Sequence, residues 1–126
     1  MKRHALITAV ALVCLALPGG VAGQDATYEG TLVDSKCYLS DKSQTTNDHG
    51  GMKDCGAMCL KGGTPAAVVT KSGTFHALIA PSLPLAPYVG QQVRVSGSLH
   101  NGAVLAKKVE VQRSGKWEEV KLAGMM

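Results

Sequence analysis

The sequence predicts a mainly β domain, a small antiparallel barrel of five to six strands. Several segments alternate apolar and polar residues, most clearly Gly90–Leu99, and this alternation is typical of a half-buried strand. Turn signals such as Asn101-Gly102 join these segments as hairpins. Glycines inside the strands, such as Gly30, mark the bends that a barrel needs. At 126 residues, the chain is long enough for one such domain.

The first 23 residues are predicted to be a signal peptide. Lys2 and Arg3 form a basic start, and the apolar run Ala5–Leu17 is too short to span a bilayer comfortably. Val21–Gly23 then offers the small residues that a signal peptidase reads. The mature chain, residues 24–126, is therefore expected to be a single domain in the periplasm or outside the cell.

Two alternatives concern this N-terminal segment. It can be a membrane anchor, or the chain can be a lipoprotein acylated at Cys14. The residues Ala11–Val13 lack the small residue expected just ahead of an acylated cysteine. Neither alternative is favoured, so we expect no contact with a membrane after cleavage.

Five to six strands are expected in the mature domain, the last of the following segments being the short sixth. In chain order they are Tyr28–Asp34, Ala66–Thr70, Thr74–Ala80, Gly90–Leu99, Val104–Val111 and Trp117–Leu122. Lys71–Gly73, Asn101-Gly102 and Ser114-Gly115 are the turn signals between neighbouring strands. The alternation slips by one residue at Lys107-Lys108, which indicates a β-bulge.

Two connecting segments are predicted to lack regular structure. Gln24–Thr27 is expected to be a loose lead-in to the first strand. Pro81–Pro87 has three prolines in seven residues, which exclude a regular helix. We therefore expect an extended crossing there, with Leu83 and Leu85 turned inward.

Residues 34–65 are predicted to form an insert between the first and second strands. Ser40–Gly51 contains no apolar residue and is expected to be a solvated loop. A short helix is predicted over Met52–Leu60, with Asp48 or a neighbour capping its start and Gly62-Gly63 ending it.

Among small barrels the OB type fits best, because a long fourth strand and an Asn-Gly turn into the fifth suit it. An SH3-like barrel or an open sandwich is the alternative. Gly30–Cys37, Cys55–Pro65 and Gly90–Gly97 together resemble a group of small exported bacterial proteins that carry a cysteine-bearing insert after their first strand. The resemblance implies export and an OB-like barrel, and it implies no catalytic residue.

The insert holds all three cysteines of the mature chain, and with a nearby histidine they predict a metal site. A helix places Cys55 and Cys59 on one side, while Cys37 comes from the end of the first strand and His49 from the loop. Three thiolates and an imidazole suit Zn²⁺. Met52 adds a thioether, and the softer set that results favours Cu(I).

Other interpretations of the insert remain open. In an oxidising compartment Cys37 can bridge to Cys55 or Cys59, closing a loop of about 20 residues and stabilising the fold by roughly 3 kcal/mol. The third cysteine would then be buried as a small apolar residue. Met52 and Met58 can equally be core residues that fill space under the insert. Redox catalysis is disfavoured because the sequence has no Cys-x-x-Cys pair.

Enzymatic and nucleic-acid-binding functions are not indicated. The sequence lacks paired carboxylates, a phosphate loop and a His-Glu-x-x-His helix, and His76 and His100 are expected to be exposed. The net charge of +4 falls to +2 once Lys2 and Arg3 are removed, and the few aromatic residues give no stacking groove.

The prediction is an exported, non-enzymatic domain that binds zinc or copper and has an unknown protein or small ligand as its partner. Its candidate ligands are Cys37, Cys55, Cys59, His49 and Met52. A disulfide-stapled module that binds a protein or a glycan is the alternative.

Overall fold

The computed structural model describes residues 24–123, so the predicted signal peptide lies outside the described residues. Within this range the chain forms six strands and three short helices. In chain order these are β1 Asp25–Asp34, α1 Ser35–Ser40, α2 Cys55–Lys61, β2 Ala66–Thr70, β3 Phe75–Ile79, a 3₁₀ helix Leu83–Tyr88, β4 Gln92–His100, β5 Ala103–Arg113 and β6 Lys116–Val120. Across the same residues, no helix is both long enough and apolar enough to cross a membrane.

All six strands belong to one sheet, which confirms the mainly β prediction. The strand order is β3-β2-β1-β4-β5-β6, and each of these neighbouring pairs is antiparallel. One further pairing joins β3 to β5 in parallel, with Leu78 opposite Val104. β1 is the central strand, because its first part pairs with β4 and its last part with β2.

Glycines allow two close backbone approaches in this sheet. A Cβ on Gly30 would lie 2.1 Å from the carbonyl oxygen of Val69, at the point where β1 passes from one partner to the other. A Cβ on Gly97 would lie 2.1 Å from the carbonyl oxygen of Leu105. Both sites exclude a side chain, so only glycine fits there without a backbone shift.

The predicted hairpin turns and the predicted bulge are also present. Asn101 and Gly102 both have positive φ, at 50° and 84°, as a type I′ turn requires. Ser114 and Gly115 repeat this pattern at 50° and 74°. In β5 the register with β4 shifts so that Lys107 has no opposite residue, which places the bulge where the alternation slips.

The helices are held by two separate apolar clusters. Leu32 of β1, Leu60 of α2 and Leu85 of the 3₁₀ helix are fully buried in the main cluster. Burying a leucine side chain contributes about 1.5–3 kcal/mol, so these contacts fasten α2 and the 3₁₀ helix to the sheet. A smaller cluster contains Val33 and Tyr38, and Tyr38 stacks on the Phe75 ring at 5.6 Å between centroids. This cluster holds α1.

Three expectations about where strands and helices begin were wrong. Gln24–Thr27 is not a loose lead-in, because Asp25 already pairs with Ser98 of β4. Cys37 lies within α1, a helix that the sequence pattern did not reveal, and not at the end of β1. The second helix begins at Cys55 and not at Met52, because the backbone of Met52 bonds to the loop instead.

The proline-rich connection also differs from its prediction. Leu83–Tyr88 is a 3₁₀ helix rather than an extended crossing. This 3₁₀ helix has a proline in its first turn. The backbone N–H that proline lacks would have no partner inside the helix at this position, so proline is tolerated there. Leu85 is buried as predicted, whereas Leu83 is 64% exposed.

Candidate metal centre

The end of β1 positions the first cysteine. Asp34 is the last residue of β1 and caps α1, because its Oδ1 accepts a hydrogen bond of 3.0 Å from the backbone N–H of Lys36. The backbone N–H of Ser35 bonds to the carbonyl of Pro65, which ties this start to the far end of the insert. Together with the buried Tyr38, these contacts hold Cys37 in one place.

The polar loop is fastened to the start of α2 by two side chains. Asn47 Oδ1 accepts a hydrogen bond from the backbone N–H of Ala57 at 2.9 Å, and Asn47 Nδ2 donates to Asp54 at 2.8 Å. Asp48 Oδ1 accepts from the backbone N–H of Asp54 at 2.8 Å. The N-cap residue is Asp54 and not Asp48, and its own side chain makes no capping bond. Asn47, the neighbour of Asp48, instead accepts the bond from a first-turn N–H of α2. These bonds hold Cys55, the first residue of α2, beside the loop.

His49 is held at two points. Its backbone pairs with that of Met52 through two hydrogen bonds, of 2.9 and 3.0 Å. Its ring Nε2 lies 2.9 Å from the carbonyl oxygen of Thr46. A carbonyl only accepts, so Nε2 carries the proton and Nδ1 presents a lone pair. Nδ1 is buried and has no hydrogen-bond partner within the described part of the chain.

One group of potential metal ligands includes His49. Cys37, His49 and Cys55 each offer one ligand atom, and these atoms all lie within 4.8 Å of one another. We call them the outer donor set, because they line an open cavity of about 280 Å³. The other residues lining this cavity are Lys36, Ser40, Asp41, Gln44 and Met52.

A second group lies deeper and shares one cysteine with the first. Asp34, Cys37 and Cys59 also offer ligand atoms within 4.8 Å of one another, and we call them the inner donor set. Asp34 was not among the candidate ligands predicted from the sequence. The spacing could have indicated this residue, because Asp34 stands three residues before Cys37 at a strand-to-helix junction. Residues i and i+3 share a helix face.

The acidic neighbour keeps the thiols protonated. Hydrogen bonding to Asp34, followed by burial and the nearby negative charges, raises the pKa of Cys37 to about 12. Burial, with the charge of Asp34, also raises the pKa of Cys59. Both residues are therefore thiols at neutral pH in the metal-free chain, and a bound cation would have to displace their protons.

The predicted site residues are thus brought near one another, but in two sets. Cys37 belongs to both sets, and no set within the described residues contains Cys55 together with Cys59. All three cysteines in this part of the chain are free. Met52 lines the cavity and is 61% exposed, and Met58 is 63% exposed. The alternative that these methionines fill the core is therefore wrong.

The other histidines of the described chain lie outside the two donor sets. His76 Nδ1 bonds to the carbonyl of Gly102, and its ring packs on Tyr28. His100 Nε2 bonds to the hydroxyl of Ser98. Of the three, only His49 offers a buried ring nitrogen without a hydrogen-bond partner.

Comparison with protein-family models, with curated proteins and with solved structures found no match. The function of the chain therefore has to be inferred from the chemistry of its site.

Proposed function

We propose that this protein is an exported, non-enzymatic domain whose outer donor set binds a soft metal ion, Zn²⁺ or Cu(I). Two observations carry the proposal: one ring nitrogen of His49 lies within 4.8 Å of the Cys37 and Cys55 sulfurs, and Nδ1 of the same ring is buried without a hydrogen-bond partner among the described residues. A buried polar atom without a partner destabilises a fold by about 1–3 kcal/mol, so its retention points to a ligand. The bond from Nε2 to the Thr46 carbonyl is the support that metal-binding histidines commonly have.

The donor types restrict the metal to soft and borderline ions. Two thiolates and an imidazole bind Zn²⁺ at about 2.0–2.3 Å, and a fourth donor completes a tetrahedron. The Met52 thioether lines the same cavity and is available as that donor. A thioether beside two thiolates favours Cu(I) over Zn²⁺.

A non-enzymatic role agrees with the thiol chemistry. The thiolate is the reactive form of cysteine, and a thiol with a pKa of about 12 supplies almost none of it at neutral pH. Cys37 is therefore a poor nucleophile in the metal-free chain and becomes a thiolate when a cation displaces its proton.

We further infer that the sheet closes into an OB-type barrel, as in the exported bacterial proteins that the sequence resembles. The parallel pairing of Leu78 with Val104 supports this inference, because it links β3 and β5 and makes the pairings of five strands cyclic. The insert with both donor sets then lies between β1 and β2. Export rests on the predicted signal peptide, residues 1–23, and the partner is a protein or a small ligand.

The second candidate is a disulfide-stapled module that binds a protein or a glycan without metal. It is favoured by the position of the Cys37 sulfur, which lies within 4.8 Å of those of Cys55 and Cys59. A bridge from Cys37 to either partner would staple α1 to α2 and leave the third cysteine as a free thiol.

A competition titration separates the two candidates. The reduced mature chain is titrated anaerobically with Zn²⁺ and with Cu(I) against a chromophoric chelator, in wild type, His49→Ala and the matched control His76→Ala. Because second-shell changes alone cost about 10–100-fold in metal affinity, we expect loss of the His49 ligand to weaken binding by at least about 100-fold. His76→Ala should bind like the wild type.

Equal affinity of all three chains would contradict the proposal. A stapled module would instead show no specific binding, and protein isolated without reductant would have a mass lower than the reduced chain by two hydrogen atoms.

A further inference from the structure

The geometry of the two donor sets is hard to satisfy with one ion. Cys37 lies within 4.8 Å of both Cys55 and Cys59, yet the three sulfurs do not form a mutual set at that distance, so the sulfurs of Cys55 and Cys59 are farther apart. A Zn–S bond is about 2.3 Å long, so two sulfurs on one ion are at most about 4.6 Å apart. One ion therefore reaches one of these two cysteines, and the other is left with a different group of donors.

The inner donor set carries its own sign of a ligand. Asp34 is only 1% exposed, and its Oδ2 is buried without a hydrogen-bond partner among the described residues. Its Oδ1 caps α1, and the thiols of Cys37 and Cys59, which interact with this carboxylate in the metal-free chain, would lose their protons when a cation binds there. A buried carboxylate needs a partner for its charge, and a cation bound between Asp34 and the two nearby sulfurs would supply one.

We propose that the inner donor set is a second metal subsite, specific for Zn²⁺, and that the Cys37 sulfur bridges the ion there and the ion in the outer donor set. This rests on the proposed function, since it adds a neighbouring ion to the same centre. The carboxylate of Asp34 is a hard donor that suits Zn²⁺ and not Cu(I), whereas the thiolates of Cys37 and Cys59 complete a mixed set that Zn²⁺ accepts.

Charge balance supports two divalent ions. The two sets together contain three thiolates and one carboxylate, a total of four negative charges, while His49 binds as a neutral ring. Two Zn²⁺ ions neutralise these charges, and one ion leaves two of them uncompensated in a partly buried site. Because unpaired buried charge is strongly disfavoured, the fully deprotonated centre is most stable with both ions present.

Native mass spectrometry of the reduced, mature full chain with excess Zn²⁺ tests this directly. The wild type should bind two ions, and Asp34→Asn and Cys59→Ser should each bind one. Asp34→Asn retains Oδ1 for capping α1, so the fold should be preserved, and Cys59→Ser removes the same subsite through another element. Asp41→Asn is the matched control, because Asp41 lines the cavity and belongs to neither donor set, and it should still bind two ions.

The outcomes distinguish this inference from the proposed function. A single ion in the wild type, with unchanged affinity in Asp34→Asn, would overturn the second subsite and leave the outer donor set standing. Two ions in Asp34→Asn and in Cys59→Ser would overturn it as well. A wild-type chain that binds neither Zn²⁺ nor Cu(I) would overturn both.

Discussion

Nε2 of His49 donates a hydrogen bond to the backbone carbonyl of Thr46 at 2.9 Å, and this bond fixes which ring nitrogen carries the proton. Nδ1 is thereby left with a lone pair before any ion binds. Because Nδ1 already lacks a proton, a metal ion that binds it does not have to displace one. Metal binding then releases protons only from the cysteine thiols.

The first prediction concerns this tautomer. In the metal-free chain at about pH 8, where an imidazole is ordinarily neutral, ¹⁵N NMR should show His49 protonated at Nε2 and unprotonated at Nδ1. Addition of Zn²⁺ should then shift the Nδ1 resonance and leave the nitrogens of His76 unchanged. A proton on Nδ1 of His49 in the metal-free chain would refute the account of this ring.

The second prediction concerns the loop that carries His49. Asn47→Ala removes the acceptor for the Ala57 backbone N–H and the donor to Asp54. Loss of such a cap costs about 0.5–2 kcal/mol, so urea denaturation of the metal-free chain should show a lower free energy of unfolding. Metal affinity should fall too, because His49 and Cys55 are no longer held together.

Lys53→Ala is the control for this change, because Lys53 is an exposed residue of the same loop. It should alter the free energy of unfolding by no more than about 0.5 kcal/mol. Equal stability of the two variants would show that Asn47 does not fasten the loop.

The third prediction concerns the reactivity of Cys37. With a pKa of about 12 instead of 9.0, Cys37 has about 1,000-fold less thiolate at neutral pH. A thiolate becomes a stronger nucleophile as the pKa of its thiol rises, and this offsets part of the decrease in reaction rate. Alkylation by iodoacetamide, followed by peptide mass spectrometry, should be about 30- to 60-fold slower in the folded metal-free chain than in urea. Asp34→Asn should speed the folded reaction, because hydrogen bonding to Asp34 is the largest cause of the shift.

The same shift has a consequence for stability. The folded chain holds the Cys37 proton more tightly than the unfolded chain, so this contribution to the free energy of unfolding is fully present below about pH 9. It is lost as the pH rises toward about 12. Cys37→Ser should lack this part of the alkaline decline, and an identical decline in both chains would contradict the assigned cause.

Much of the sheet could be predicted because its determinants are local. Asn101-Gly102 and Ser114-Gly115 specify their own turns through positive φ, and the slip at Lys107 is visible in the alternation. The extra length of β1 was not visible, because Asp25 becomes strand only by pairing with β4, more than seventy residues away in sequence. Local preference gives no signal for such a pairing.

The candidate site was predicted in part for a related reason. Cys37, His49 and Cys55 stand out by residue type, and their proximity follows from the short insert. Asp34 does not stand out, because a carboxylate at a strand end reads as a helix cap or a turn residue. Only its burial, which results from the packing of the insert over the end of β1, shows that one of its oxygens has no partner.

The fourth prediction concerns the close approach of β1 to β2 at Gly30. Gly30→Ala would place a Cβ 2.1 Å from the Val69 carbonyl oxygen, and backbone at this distance has to move apart. Overpacking of this kind costs about 1–3 kcal/mol. The control is Gly51→Ala, where nothing lies within 4 Å of the added Cβ. Urea denaturation should separate the two variants, and equal free energies of unfolding would contradict the close approach of β1 and β2.

The most direct measurement is X-ray absorption at the zinc edge, on the Asp34→Asn chain loaded with one equivalent of Zn²⁺ so that only the outer donor set is filled. The account predicts sulfur scatterers at about 2.3 Å together with an imidazole nitrogen at about 2.0–2.1 Å. The imidazole signal should disappear when His49→Ala is added and persist when His76→Ala is added. A first shell of oxygen and nitrogen alone, without sulfur, would contradict the claim that Cys37, His49 and Cys55 hold the ion.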